Sequence, residues 1–304
     1  MPKLNISVCV LGLNEEKNLK ACLESVKDWA KEIMVGVDDQ STDKTYQVAG
    51  KYTNKVLVLP HVDMFHKNKQ KVMDKATQKW VLWLDADEVV SKELVKEIRK
   101  TVSQKNVTDS YLIPRKNFIF NKWIKYSGWY PDLQLRLWKR GKVSWPGKSI
   151  HEDPITSGSK DQLSQHIIHN NYTSVSQYLI KLNQYTSLDA KRRRKEFKSP
   201  YLKYLIVRPI DEFIKRLIAL KGYKDGLHGL ALAMLQGFYE LIVVIKVWEM
   251  DKFRQEEIDL VKEVEKQGKN ILASWNWWKR ELKIKETGNK LKQGWHKGLR
   301  KLGF

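Results

Sequence analysis

Short apolar runs alternate with segments of helical spacing along the first hundred residues. Short apolar runs predict buried β-strands at 5–11, 32–38, 55–59 and 80–84. Residues with helical spacing predict helices at 16–30, 42–52, 67–77 and 91–101, with Ser41 or Thr42 capping the second helix and Ser91 the fourth. Strands and helices that alternate at this length are typical of an α/β fold with a doubly wound, mostly parallel sheet.

The run Trp80–Glu88 carries the clearest chemical signal. Its apolar residues lead directly into Asp85, Asp87 and Glu88, at the carboxyl end of a predicted strand. Open α/β sheets bind their ligands at that end, and Mg²⁺ is usually held by one or two carboxylates together with phosphate oxygens. The pattern alone leaves two interpretations open, a metal site or a solvated acidic turn at the start of the next helix.

Two further motifs follow the first two predicted strands. The first, Leu13-Asn14-Glu15-Glu16, is by itself an ordinary helix start in which Asn14 is expected to be the cap. The second, Val37-Asp38-Asp39-Gln40-Ser41-Thr42-Asp43, places acids where doubly wound nucleotide sites bind a base or a ribose hydroxyl.

The segment 115–154 follows one further predicted strand at 110–114 and is aromatic and irregular. We expect long ligand-binding loops here. It contains Gly-Trp-Tyr-Pro-Asp at 128–132 and Ser-Ile-His-Glu at 149–152. The aromatic side chains Trp123, Trp129 and Tyr130 are expected either to stack on a sugar ring or to pack the loop on the sheet.

In this order and spacing the motifs resemble the family 2 glycosyltransferases of GT-A fold, and most of all bacterial enzymes that glycosylate the lipopolysaccharide core. The resemblance covers roughly the first 190 residues, more than a lone motif would justify. Further cues lie in three short stretches, Tyr178-Leu179, Leu182-Asn183-Gln184-Tyr185-Thr186 and Gly226-Leu227-His228-Gly229. The resemblance implies a GT-A sheet followed by a C-terminal helical region, and transfer of a sugar from a nucleotide-diphosphate donor with Mg²⁺ or Mn²⁺ and with inversion.

The resemblance also implies donor contacts. They are expected from Leu11, Glu15, Asp38, Asp39, Lys69, Gln70, Asp85 and Arg136. Gln70 stands where the family often has Asn. Glu88 is interpreted as no more than a helix-start acid.

Metal and catalytic roles are implied in the same way. Asp87 is the expected metal ligand, with His151 completing the metal shell or contacting phosphate. Asp132 is the first candidate for the catalytic base, and partial desolvation is expected to raise its pKa. Arg136 is expected either to bind phosphate or to hold Asp132 in a salt bridge. His151 and Glu152 are the other catalytic candidates, and a hydrogen-bonded loop pair is the alternative for both.

Charge and composition suggest where the protein works. The net charge of the 304 residues is +21, and Lys and Arg predominate after the first hundred, most densely at 191–195. The two cysteines are predicted to be buried thiols in a reducing compartment, and no secretory signal is visible, so we expect a cytoplasmic protein. The apolar stretch 227–248 is interrupted by Gln236, Glu240 and Lys246. It is interpreted as a helix on an anionic membrane surface, with a spanning helix or a core helix as alternatives.

These observations predict a catalytic domain at 1–173 and a basic, membrane-associating helical region at 174–304. The expected function is glycosyl transfer to a lipid-linked or lipopolysaccharide-type acceptor at the inner face of the cell membrane. One alternative is a nucleotidylyltransferase, although the loop after its first strand would be Gly-rich and basic, whereas Gly12–Glu16 is acidic. The other is a basic nucleic-acid-binding module, for which no motif is recognisable.

Overall fold

The computed structural model describes residues 2–62, 65–145, 154–197 and 201–286. The packing of the chain divides it into two compact units. Unit 1 comprises 1–118 and 131–171, and unit 2 comprises 119–130 and everything from 172 onward. The segment 119–130 therefore packs with the C-terminal helices, although it lies within the predicted catalytic domain.

The first half of unit 1 has the predicted alternation of strands and helices. Its strands are β1 (Leu4–Gly12), β2 (Ala30–Asp38), β3 (Val56–Leu59) and β4 (Trp80–Asp85), and its helices are α1 (Glu16–Glu24), α2 (Thr45–Gly50), α3 (Phe65–Asp74) and α4 (Lys92–Val102). The strands lie in the order β3-β2-β1-β4, and all three pairings are parallel. The carboxyl ends of β1, β2 and β4 therefore meet at one edge, as predicted.

The second half of unit 1 adds antiparallel strands to the same sheet. The chain continues through β5 (Glu88–Val90), β6 (Ser110–Ile119), β7 (Lys122–Trp123, in unit 2), β8 (Asp132–Lys139), β9 (Val143–Ser144), β10 (Ile155–Thr156), β11 (Lys160–Gln162) and β12 (Ile167–Tyr172). The sheet order continues β4-β8-β6-β12-β5, with β8 antiparallel to both β4 and β6.

The prediction of long loops over 115–154 is thus wrong for much of that segment. Strand β6 extends beyond Pro114 to Ile119, and β8 occupies a central position in the sheet. Leu133, Leu135 and Leu137 recur at every second position, which is the period of a strand. The neighbouring Gly, Pro and aromatic residues concealed this alternation.

Strand β4 is buried on both faces, as its continuous apolar run predicted. Leu82 and Leu84 belong to one core cluster, whereas Val81 and Trp83 belong to another on the opposite face. Successive side chains of a strand point to opposite faces, so an all-apolar strand requires cover on both. The carboxylate of Asp85 follows this rigid element directly. Both cysteines are buried free thiols, as predicted.

Unit 2 is helical, as predicted for the residues after Ser174. Its helices are α5 (Val175–Arg193), α6 (Leu202–Ile214), α7 (Leu227–Met250) and α8 (Leu260–Glu286). Ser174 caps α5 by accepting a hydrogen bond from the Gln177 backbone N–H. Within the described part of the chain, α7 alone is long and apolar enough to cross a membrane, with a mean hydropathy of 1.8. This is weak support for a span, because core helices of soluble proteins meet the same criterion.

The polar residues that interrupt α7 all have partners on α5. Glu240 accepts two hydrogen bonds from the Arg193 guanidinium, at 2.9 and 2.8 Å. The Lys246 ammonium donates to the Asn183 backbone carbonyl at 2.7 Å, and Gln236 donates to the Tyr178 hydroxyl at 2.7 Å. One side of α7 is therefore fixed against α5 by polar contacts.

Candidate active site

The motifs after β1 and β2 are hydrogen-bonded to each other. Asn14 Oδ1 accepts from the Thr42 backbone N–H at 2.8 Å, and Asp43 Oδ2 accepts from that of Glu16 at 3.0 Å. The Glu16 carboxylate in turn accepts from the Lys44 backbone N–H at 2.8 Å. These hydrogen bonds clamp the loop after β1 to the loop after β2. The polar residues of the two motifs therefore have a structural role in addition to any role in binding.

Helix α1 begins at Glu16 as predicted, but the predicted caps of α1 and α2 are wrong. Asn14 does not cap α1, because Glu15 occupies the N-cap position and Asn14 has a positive φ of 56°. Likewise α2 begins at Thr45, and neither Ser41 nor Thr42 caps it. In both cases the polar side chain takes part in hydrogen bonds between the two loops and does not cap the helix that follows it.

Leu11 and Glu15 lie where the donor was expected. Leu11 is in register with Gly36 of β2 on one side and with Asp85 of β4 on the other, so its backbone lies between the two acid-bearing strand ends. The Glu15 carboxylate accepts a hydrogen bond from Asn18 at 2.8 Å at the start of α1.

The two acids after β2 differ in exposure. Asp38 is buried, and its two carboxylate oxygens lie 3.1 and 3.0 Å from His61 Nδ1. Asp39 is exposed and accepts the His61 backbone N–H at 2.9 Å. Asp39 is therefore the acid more accessible to a nucleotide. His61 was not predicted, although its place just after β3 matches that of the other strand-end groups.

Asp85 is surrounded by cations. Lys69 Nζ lies 3.1 Å from Asp85 Oδ1, Arg136 contacts Oδ2, and an Arg115 nitrogen lies 3.9 Å from Oδ2. Burial by itself would raise the pKa of Asp85, but the charges of Arg136, Lys69 and Arg115 outweigh it and hold the pKa well below its usual range. Asp85 is therefore ionised across the physiological range.

Glu88 is a structural part of this site and not a helix-start acid. It is completely buried in β5, where it contacts Arg136 at 2.6 Å and Arg115 at 3.1 Å. Its other oxygen accepts the Asp85 backbone N–H at 2.9 Å and so closes the turn that carries Asp85 and Asp87. The helix-start interpretation is wrong because α4 begins only at Lys92.

Arg136 faces into the protein. Its side chain is buried, and its guanidinium pairs with Asp85 and Glu88. The salt bridge expected between Arg136 and Asp132 is made by Arg115 instead, a residue that was not predicted. Asp132 and Arg136 lie four residues apart along the extended strand β8, and that separation is too long for a direct contact.

Lys69 and Gln70 follow each other on α3 but do different things. The Lys69 ammonium lies over the rings of Trp83 and Trp145, 5.2 and 5.7 Å from their centroids, while it contacts Asp85. The Gln70 amide accepts the Trp145 backbone N–H at 2.9 Å and donates to Asp74 at 2.6 Å. Lys69 therefore lies at the acidic edge, whereas Gln70 anchors the chain at Trp145.

Asp87 has a histidine neighbour that was not predicted. His169 Nε2 lies 3.4 Å from Asp87 Oδ2, and His169 Nδ1 lies 2.6 Å from the side-chain oxygen of Asn117. His169 lies on β12 opposite Glu88 of β5. That antiparallel pairing joins residues far apart in the chain, and no local motif in the sequence signals it.

The pair Asp87 and His169 fits a divalent cation. A carboxylate oxygen and an imidazole nitrogen, both mostly buried, lie 3.4 Å apart, and Asp87 follows β4 closely in the chain. No cluster of three or more His, Cys, Asp or Glu ligands occurs in residues 2–62, 65–145, 154–197 or 201–286. Two protein ligands agree with an ion that takes its remaining ligands from donor phosphates and water.

Asp132, the predicted base, lies at the start of β8. Arg115 Nε and Asn117 Nδ2 donate to its Oδ2 at 2.8 and 3.0 Å, and Gln134 donates to its Oδ1 at 2.8 Å. The prediction of a raised pKa is wrong. Burial does act in that direction, but Arg115 and the hydrogen bonds outweigh it, and the pKa of Asp132 is lowered.

His151 and Glu152 lie outside the described residues. The three aromatic residues expected either to stack on a sugar or to pack the loop, Trp123, Trp129 and Tyr130, belong to unit 2, where Trp123 and Tyr130 pack edge to face with centroids 5.6 Å apart. Trp129 packs against a cluster of Ile119, Ile124 and Leu232. The loop therefore packs with the helices of unit 2.

Comparison with known proteins identifies the chain. The sequence profile of glycosyl transferase family 2 matches residues 7–164, just over half of the 304 residues. The chain belongs to this family. It is therefore a glycosyltransferase, and the predicted GT-A fold with a C-terminal helical region is confirmed. Family membership favours glycosyl transfer over both the nucleotidylyltransferase and the nucleic-acid-binding alternatives.

Relatives extend the likeness beyond the family profile. The lipopolysaccharide core biosynthesis glycosyltransferase LpsC of Rhizobium meliloti is 24% identical over 256 residues, which is 82% of this chain and 94% of LpsC. An uncharacterized glycosyltransferase of Rickettsia typhi is 25% identical over 300 residues, or 95% of this chain and 97% of the relative. Among solved structures, Staphylococcus aureus TarS (1–349) matches with a TM-score of 0.41 and 17% identity, over 84% of this chain and 95% of TarS.

Proposed function

We propose that this glycosyltransferase moves a sugar from a nucleotide-diphosphate donor to a lipid-linked or lipopolysaccharide-type acceptor, with inversion at the anomeric carbon and with Mg²⁺ or Mn²⁺. The observation that carries this proposal is the juxtaposition of Asp87 with His169, beside Asp85 and Lys69, at the carboxyl edge of the parallel strands. Asp132 belongs to the same hydrogen-bond network through Asn117.

Donor binding follows from the strand ends. Asp39 is available to a ribose or base, and the Leu11 backbone lies beside Asp85 where the nucleotide would cross the sheet edge. Lys69 provides a positive charge for the diphosphate and remains anchored on Trp83 and Trp145. Asp87 and His169 would hold the divalent ion, which when bound stabilises the negative charge that develops on the leaving nucleoside diphosphate.

Asp132 is the residue proposed to accept the proton. An acceptor hydroxyl attacks the anomeric carbon, a new C–O bond forms, the bond to the diphosphate breaks, and the hydroxyl proton passes to Asp132. Its Oδ2 accepts hydrogen bonds from Arg115 and Asn117, whereas Oδ1 accepts one from Gln134. Oδ1 therefore has more capacity to accept this proton. A single displacement of this kind inverts the configuration.

The acceptor class rests on the relative LpsC, whose name assigns it to lipopolysaccharide core biosynthesis. A cytoplasmic, peripheral location on an anionic membrane suits such an acceptor. Support comes from the net charge of +21 and from α7, which exposes Leu227, Leu230, Met234 and Phe238 on one face. These four residues, at helical spacing, are named here the α7 stripe.

The basic run at 191–195 gives less support than its sequence suggested. Arg192 pairs with Asp189, Arg193 with Glu240 and Arg194 with Asp251. These arginines are thus engaged within unit 2, so the α7 stripe and the overall charge carry the membrane proposal.

The test is a screen of nucleotide sugars for release of nucleoside diphosphate, with and without Mn²⁺, using the full chain. We expect turnover that stops with a chelator. We expect it to fall at least about 100-fold in Asp87→Asn, since a metal ligand is lost. Asp161→Asn, an exposed carboxylate on β11, is the matched control and should retain wild-type turnover. Full turnover by Asp87→Asn would exclude the metal role.

A further inference from the structure

Asn117 contacts both the proposed base, Asp132, and the proposed metal ligand His169. Its side-chain nitrogen lies 3.0 Å from Asp132 Oδ2, and its side-chain oxygen lies 2.6 Å from His169 Nδ1. We propose that Asn117 is a positioning residue that holds His169 in the tautomer protonated at Nδ1, so that Nε2 faces Asp87 as a ligand, while it also orients Asp132. This inference rests on the function proposed above.

The direction of each hydrogen bond follows from its partners. An ionised carboxylate only accepts, so the Asn117 atom facing Asp132 must be the amide nitrogen. The amide oxygen then faces His169, and an oxygen only accepts, so Nδ1 of the imidazole must carry a proton. In the neutral ring Nε2 is left with its lone pair, and it lies 3.4 Å from Asp87 Oδ2.

Sheet topology makes this arrangement rigid. Asp132, Asn117 and His169 lie on β8, β6 and β12, which are neighbours in the sheet. The Asn117 side chain is fully buried, and His169 is nearly so. A buried amide whose two ends are both engaged cannot turn over without breaking both hydrogen bonds, so the tautomer of His169 is set before any ligand arrives.

Gln134 supplies the matched control. It also donates an amide hydrogen bond to Asp132, at 2.8 Å, but to the opposite oxygen. In the β6–β8 pairing Gln134 lies opposite Ile113, four positions along β6 from Asn117, and its amide nitrogen donates to Asp132. The two amides therefore share the contact with Asp132 and differ in the contact with His169.

The experiment compares Asn117→Ala with Gln134→Ala in the full-length protein. Labelling with ¹⁵N-histidine reports the tautomer of His169 in the metal-free protein, with His169→Asn identifying its signals among the seven histidines. Titration with Mn²⁺ alone, followed by water-proton relaxation, reports metal affinity. In Asn117→Ala we expect loss of the Nδ1-protonated tautomer and about 10- to 100-fold weaker Mn²⁺ binding, the usual effect of removing such a partner. In Gln134→Ala we expect neither change.

Asn117→Asp keeps an acceptor for His169 Nδ1 but removes the donor to Asp132. It should retain the tautomer and most of the Mn²⁺ affinity, whereas its turnover should fall because two carboxylates then face each other. This variant also decides the matter if Asn117→Ala does not fold. The inference is overturned if Asn117→Ala matches Gln134→Ala in both readouts, or if Asn117→Asp loses the wild-type tautomer.

Failure of the proposed function gives a different pattern. Both readouts are obtained without donor, acceptor or turnover. A wild-type protein with the expected tautomer and Mn²⁺ affinity but without transfer of any sugar would contradict the proposed function and leave the role of Asn117 intact. A wild-type protein with the opposite tautomer would overturn the role of Asn117 whatever its activity.

Discussion

Two nitrogens of the Arg115 guanidinium, Nε and Nη2, lie 2.8 and 2.7 Å from the same carboxylate oxygen of Asp132. A third nitrogen of Arg115 lies 3.1 Å from Glu88. The Arg115 side chain thus joins the proposed base, Asp132, to Glu88, which closes the turn that carries Asp85 and Asp87. Burial by itself would raise the pKa of Asp132, but the Arg115 charge together with the hydrogen bonds from Asn117, Gln134 and Arg115 lowers it.

This contact predicts the pH dependence of turnover. Asp132 works as a base only when ionised, so activity should fall as the pH drops through its lowered pKa. In the wild type that acidic limb should lie well below about pH 6.5, where an unperturbed histidine titrates. Arg115→Gln removes the charge that lowers the pKa, so the limb should move to higher pH. The measurement is kcat/KM against pH for the nucleotide sugar found in the screen.

Arg115→Lys is the control for this series. It keeps the positive charge but loses the planar fork, so its limb should move less than that of Arg115→Gln. A wild-type inflection near about pH 6.5 that does not respond to either variant would instead favour a histidine base such as His151.

The predictable part of this site follows strand ends. Asp38 and Asp85 follow continuous apolar runs, and a parallel sheet brings such ends together, so local patterns were enough to place them. His169 and Asn117 depend on the neighbouring strands β12 and β6, whose pairing is long-range and leaves no local period. Arg115 was missed because the strand was expected to end at Pro114, where the sequence turns polar.

The loop clamp yields a prediction that separates stability from donor binding. Asp43 accepts the backbone N–H groups of Glu16 and Thr45, at 3.0 and 2.9 Å, at the starts of two helices. Asp43→Ala should therefore lower the free energy of unfolding by about 1–2 kcal/mol, the usual cost of a lost cap. Urea denaturation monitored by circular dichroism measures it.

Asp39→Ala is the counterpart. Asp39 is exposed and accepts one backbone N–H, from His61. This variant should change stability by no more than about 0.5 kcal/mol but should raise the KM for the donor. Equal stability losses in the two variants, with unchanged donor KM in Asp39→Ala, would assign both acids to the loop structure.

Lys69 gives a prediction about the phosphates of the donor. Lys69→Met should weaken binding of a nucleoside diphosphate by about 10- to 100-fold, because one charge-assisted hydrogen bond is lost. Binding of the matching nucleoside, which lacks phosphates, should change little. Isothermal titration calorimetry measures both ligands.

Lys71→Met, an exposed lysine on the same helix, is the matched control and should bind both ligands as the wild type does. A loss of affinity in Lys69→Met that is equal for nucleoside and diphosphate would place Lys69 outside the phosphate site.

The α7 stripe makes the membrane proposal testable by point substitution. Truncation is unsuitable because unit 2 includes 119–130, in the middle of the chain. Met234 and Phe238 are 60% and 43% exposed. Burying such a side chain in a lipid interface contributes up to about 1.5–3 kcal/mol, so Met234→Glu with Phe238→Glu should weaken vesicle binding at least about tenfold.

Co-sedimentation with vesicles containing anionic lipid measures this binding. The control is Val58→Glu, at an exposed apolar position on β3. Equal binding by the double variant and the wild type would show that α7 does not contact the bilayer, whereas loss in both variants would indicate a general charge effect.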